Sequence, residues 1–126
     1  MFFSNFTYMH LDELREYCLL KKGVEECLPF GDDILVFKVI GKMFLLSGIE
    51  SQPIEINVKC NPEKAIELRE KYTSVLPGYH MNKQHWNTIV CDGSVSNKLI
   101  QQWIDDSYNL VVNSLTKKLK SELELR

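Results

Sequence analysis

Between residues 24 and 60 the chain sets four short β-type runs end to end, separated only by turn residues. The runs cover 24–29, 34–40, 43–49 and 54–60, and no connection between them is long enough to hold a crossover helix. Consecutive strands with such short turns argue for an antiparallel meander. Gly41-Lys42 is read as a tight two-residue connection, which makes the flanking strands a hairpin. In the last run Ile54, Ile56, Val58 and Cys60 alternate with Glu55, Asn57 and Lys59, the period of a strand buried on one face. Leu35, Phe37 and Val39 likewise share an apolar face and leave Lys38 on the other. Lys38 and Lys59 are thus expected to emerge together on the less buried face of the sheet.

Helical patterns flank this block. Leu11, Leu14, Cys18 and Leu19 form one stripe, predicting a helix over 11–22 with Asp12 and Glu13 in its first turn and Lys21 and Lys22 in its last. Gly23 supplies the residue that stops it. Asn61-Pro62-Glu63 starts a second helix, with Asn as N-cap and Pro at the first position, running to about Tyr72. It is expected to bury Ala65, Leu68 or Ile66, and Tyr72. Residues 75–78 read as a turn and 86–91 as a further strand. Ser94 or Ser96 then caps a last helix that keeps its spacing to Leu119, with a break expected near 105–107. The order is α-β-β-β-β-α-β-α, an α+β fold in which an antiparallel sheet is packed by N- and C-terminal helices. With 126 residues the chain is one domain, taken as 9–121 with an extension at 1–8 and a tail at 122–126.

Net charge is −2 with a pI near 5.9, so the whole molecule is no electrostatic trap for nucleic acid. The distribution is uneven. Residues 1–37 carry three basic and seven acidic groups, whereas residues 38–91 carry seven and five, with His80 and His85 in addition. Cys18, Cys27, Cys60 and Cys91 are isolated, with no C-x-x-C pair, and suit a reducing cytoplasm. No stretch has the apolar length of a membrane span, and the first residues lack the features of a signal peptide.

No phosphate-binding glycine loop, dinucleotide fingerprint, nucleophile elbow or H-E-x-x-H motif is present, which favours a binding module over an enzyme. The densest polar cluster is Tyr79-His80-Met81-Asn82-Lys83-Gln84-His85-Trp86-Asn87. Two imidazoles, a lysine, several amides and two aromatics with no acid among them could grip a phosphate, stack on a base or bind a small anion. Equally, Asn82 could make a turn, Trp86 fill the core and His80 or Asn87 satisfy backbone groups. Of these, His80, Lys83 and His85 are the better functional candidates. No metal site is expected, because His80 and His85 have no third ligand nearby; no cofactor is implied.

The segments LDELREYCL, PFGDDILVFKVIGKMF, VKCNPEKAIELR, PGYHMNKQHWNTI, DGSV and IDDSYNLVV occur in the order found in the MmcQ/YjbR family of small bacterial proteins, which the chain resembles from Leu11 to Leu115. H-M-N-K-x-H-W-N is the most specific of them. The resemblance implies a frataxin-like α+β sandwich and a "double-wing" arrangement of hairpins proposed for the family as a DNA-binding surface. Residues 1–8 fall outside the match, and translation is expected to start at Met9; an intact mass retaining Met1 or Phe2 would contradict that.

Three functions follow as expectations. The first is backbone-dominated DNA binding through Lys38, Lys42, Lys59, His80, Lys83 and His85 on one sheet-and-hairpin face. The second is a small-ligand or protein-binding domain using residues 77–87, and the third is metal handling by the N-terminal carboxylates Asp12, Glu13, Glu16, Glu25 and Glu26. The chain is expected to be a monomer or weak dimer.

Overall fold

In the computed structural model, which describes residues 9–50, 52–78 and 81–126, six strands form a single sheet. The elements are α1 (Leu11–Leu19), β1 (Val24–Cys27), β2 (Ile34–Val39), β3 (Lys42–Gly48), β4 (Glu55–Lys59), α2 (Pro62–Lys71), β5 (Val75–Pro77), β6 (Trp86–Val90), α3 (Asn97–Ser114) and α4 (Lys117–Glu124). The sheet order is β1-β2-β3-β4-β6-β5, and every neighbouring pair is antiparallel. The expected α+β class and element order hold. Two elements are added: residues 75–77, read as a turn, pair with β6 as an edge strand, and the C-terminal helix is two helices. The helix runs unbroken through 105–107 and stops at Leu115, where Thr116 caps α4 by accepting from Leu119 N at 3.2 Å.

The main core lies on one face of the sheet. Phe37, Leu45, Ile56 and Ile89 meet Leu14 and Cys18 of α1, Leu68 of α2, and Ile100, Ile104 and Val111 of α3. Leu123 of α4 joins the same cluster, so residues 122–126 are not a tail: burying Leu123 draws the last helix onto the domain. Ile66 is exposed, which settles the α2 stripe on Ala65 and Leu68. Ser96, rather than Ser94, caps α3.

Two local departures from the sequence pattern have physical causes. The β2–β3 turn is centred on Ile40 (φ 47) and Gly41 (φ 81), one residue earlier than expected, leaving Lys42 in the strand. A β-branched residue costs about 1–2 kcal/mol in this left-handed region. Here Ile40 packs against the core in space that Gly23 leaves open: a Cβ on Gly23 would lie 3.3 Å from Ile40 Cδ1 and 2.4 Å from Leu123 Cδ1. In β3, Lys38 pairs with Met43 and Phe37 with Leu45, so Phe44 forms a bulge. Its freed carbonyl accepts from the Ser107 hydroxyl at 2.5 Å, and Ser107 Oγ in turn accepts from Lys59 N at 2.8 Å.

α1 ends at Leu19, before Lys21, so the expected dipole pairing at its C-terminus is absent. Lys21 turns inward instead. Its ammonium pairs with Asp105 and sits 4.8 Å and 5.3 Å from the ring centroids of Tyr17 and Tyr108. Tyr17 donates to the same carboxylate at 2.7 Å. Burial first, then that hydrogen bond, pushes the Tyr17 hydroxyl up to about 12.

Candidate functional site

The opposite face of the sheet has its own small apolar cluster, Val36, Leu46 and Trp86, with Cys27, Met43 and Met81 packed at its edges. No helical residue belongs to this cluster, so among the described residues the face is free of helices. Strand register divides it into rows. Cys27, Val36, Leu46, Asn57, Thr88 and Leu76 form the middle row across all six strands, and Thr88 donates to Asn57 Oδ1 at 2.6 Å. The next row holds Glu25, Lys38 and Met43 and continues past the bulge to Lys59 and Trp86. Lys38 and Lys59 are two strands apart, about 10 Å at the usual strand spacing.

Two acids share this face. Glu25 lies directly across from Lys38. Glu55 is at the far end of β4, about 13 Å from Lys59 along the strand, and at physiological salt the screening length is about 8 Å. The positive end of the face is therefore the Lys59–Trp86 end.

Beyond Trp86 lies the turn at 82–85. Asn82 organises it as the sequence predicts. Its Oδ1 accepts from Gln84 N at 2.9 Å, and its carbonyl accepts from His85 N and Trp86 N at 3.1 and 2.9 Å. Asn87 is buried, donating to Ala65 O at 3.3 Å and accepting from Arg69 Nε at 2.6 Å. The Arg69 guanidinium also donates to the carbonyls of Lys83 and Trp86. Cys60 N donates to His85 O at 2.7 Å. The turn is thus fixed to α2 on one side and to the end of β4 on the other. Gly78 lets the chain close over it, since a Cβ there would lie 2.9 Å from Trp86 O.

The structure brings Lys38 and Lys59 onto one face and sets the turn bearing exposed Lys83 and half-buried His85 at the end of their row. Lys42 does not join them. It pairs with Val39, whose side chain is in the main core, so Lys42 leaves the hairpin end on the helical side. His80 lies outside the described residues, as do residues 1–8. Trp86, 7% exposed, is packed rather than offered for stacking. Arg69, absent from the sequence-based candidates, is the residue that holds the turn; its only signal was a basic side chain in the last turn of α2.

The N-terminal carboxylates do not converge. Glu26 receives two hydrogen bonds of 2.8 Å from Arg15, which hold its carboxyl below the usual carboxylate range, while Glu13 accepts from His10 N at 3.2 Å and Glu25 is on the open face. Among the described residues no three His, Cys, Asp or Glu side chains are grouped to hold a metal ion.

The family model YjbR matches residues 19–110, a span that includes every strand and the turn. The chain belongs to the YjbR family. It is 44% identical over 96 residues to the uncharacterised protein YbdF of Escherichia coli, covering 75% of this chain and 78% of YbdF. It is 33% identical over 116 residues to Escherichia coli YjbR, covering 91% and 98%. The crystal structure of Deinococcus radiodurans protein DR2400, of domain family DUF419, superposes with a TM-score of 0.89 at 36% identity, covering 94% of this chain and 90% of that one. A Pseudomonas syringae protein superposes with a TM-score of 0.70 at 29% identity, covering 81% and 98%. The match to the Deinococcus radiodurans protein is thus longer than the 19–110 span of the family model.

Proposed function

We propose that this YjbR protein acts by binding rather than catalysis, and that it holds the backbone of DNA against the open face of its sheet. The observation that carries this reading is the row in which Lys38 and Lys59 rise from the helix-free face towards the turn that bears Lys83 and His85. Phosphates supply most of the affinity in such contacts and read no sequence. Trp86 is packed away and Arg69 is committed to the turn, so neither of these two offers a stacking ring or an arginine fork to base edges. That favours backbone contact. In this reading the wings are the β1–β2 and β5–β6 hairpins at either side of the face, and the protein works in the cytoplasm, where its four thiols stay reduced.

A second reading has one observation in its favour. A groove of about 360 Å³ separates α2 from the turn, lined by Pro62, Ile66, Arg69, Lys83 and Gln84. It would suit a small anion or the edge of a partner protein.

Fluorescence anisotropy of a labelled duplex at several salt concentrations tests the first reading. Wild type is expected to weaken steeply with salt, and Lys59→Glu to lower the slope by about 1 or more. Lys42→Glu, on the other side of the sheet, should change the slope little. Absence of binding at low salt, or equal loss in both variants, would overturn the assignment.

A further inference from the structure

On the other side of the buried stripe of α2 lies a separate cleft of about 350 Å³, between the start of that helix and one face of α3. Asp106, Asn109 and Asn113 recur at i, i+3 and i+7 and form one wall; Asn61 and Lys64 form the other. The half-buried Cys60 thiol and Leu110 make the floor. Helices that pack edge to edge normally close such a gap with apolar side chains or with direct hydrogen bonds. Here no hydrogen bond or ion pair among the described residues spans it.

The polar groups keep unused capacity. Asn61 spends its Oδ1 on Glu63 N at 3.0 Å, leaving its Nδ2. Asp106 accepts from Gln102 at 3.0 Å through one oxygen, leaving the other. Lys64 forms no ion pair with Asp106, although both charges reach Cys60: the carboxylate adds to the effect of burial in raising the thiol pKa, and the ammonium opposes it. The net effect raises the Cys60 thiol above its ordinary value, which disfavours the thiolate. A cation and an anion facing one space, with amide groups between them, complement a molecule that carries both charges.

We propose that this cleft binds a small zwitterion of the α-amino-acid type. Its carboxylate meets Lys64 at the positive end of α2, its ammonium meets the free oxygen of Asp106, and Asn109 and Asn113 supply hydrogen bonds to the remainder. Cys60 and Leu110 accept a short side chain. The volume is near the lower end of the range for ligand sites, about 300–1,000 Å³, and the cleft is open, so affinity in the millimolar to micromolar range is expected. The site is distinct from the sheet face and does not depend on the DNA reading.

The test is an NMR titration of the ¹⁵N-labelled full chain with L-alanine and with L-serine, alongside acetate and methylammonium as single-charge controls. Saturable shifts are expected at Cys60, Lys64, Asn109 and Asn113 with the amino acids and not with either control. Lys64→Ala and Asp106→Asn, both at exposed positions, should each weaken binding about tenfold, equal to 1.4 kcal/mol, while leaving the rest of the spectrum in place. No saturable shift with either amino acid would overturn the proposal. So would acetate producing the same shifts, which would mark a plain anion site.

Discussion

Ser107 joins three elements through one hydroxyl, accepting from Lys59 at the end of β4 and donating to Phe44 at the bulge of β3. It is fully buried, so no water can replace those bonds. Ser107→Ala leaves a buried N–H and a buried carbonyl without this partner, and is expected to cost about 1–3 kcal/mol in urea unfolding; a loss within error of zero would show that the hydroxyl is dispensable. Nothing in the sequence marked Ser107 for this role, because a serine among helix-spaced apolar residues reads as a helix break. Glu26 makes a second residue-scale prediction. Its folded pKa is depressed by Arg15, so its contribution to stability is present above the unfolded value of about 4.3 and is lost as pH falls through the lower folded value. Glu26→Gln should therefore lower the Tm at neutral pH, and the gap from wild type should shrink in acid. A gap that stays constant with pH would mean that the ion pair is not its source.

At the scale of elements, the turn at 82–85 depends on α2. Arg69 reaches three acceptors across that junction, and its planar fork can satisfy them together in a way that a lysine cannot. Arg69→Ala is expected to cost about 1.5–3 kcal/mol and to speed amide hydrogen exchange at His85 and Trp86, whose N–H groups close the turn. Arg69→Lys should restore little of that protection. Exchange unchanged in both variants would show that Asn82 alone holds the turn. The same junction explains what the sequence could and could not show. Asn82 and Asn87 were legible as structural residues because their chemistry is local or typical of buried amides. Arg69 was not, because its partners lie 14 to 18 residues away. Lys21 was misplaced for a similar reason: its partner Asp105 is 84 positions distant, and a basic residue after a helix reads first as a dipole partner.

For the whole molecule, five of the six strands were legible as β-type runs and β5 was read as a turn; the face assignment of Lys38 and Lys59 followed from period-two alternation, which needs no long-range information. The side of Lys42 did not, because it turns on where a two-residue hairpin is centred, and a shift of one residue reverses the face. The position of α4 depended on Leu123 reaching the core, a contact that periodicity cannot supply. What results, among the described residues, is a sheet with its helices on one face and a row bearing Lys38 and Lys59 on the other. The most direct test of the claim that DNA lies on that open face is a chemical-shift map of the ¹⁵N-labelled protein with a short duplex at physiological salt. Shifts are expected at Lys38, Lys59, Lys83 and Gln84, with α1 and α4 unaffected. Shifts confined to the helical side, or none at all, would contradict the account.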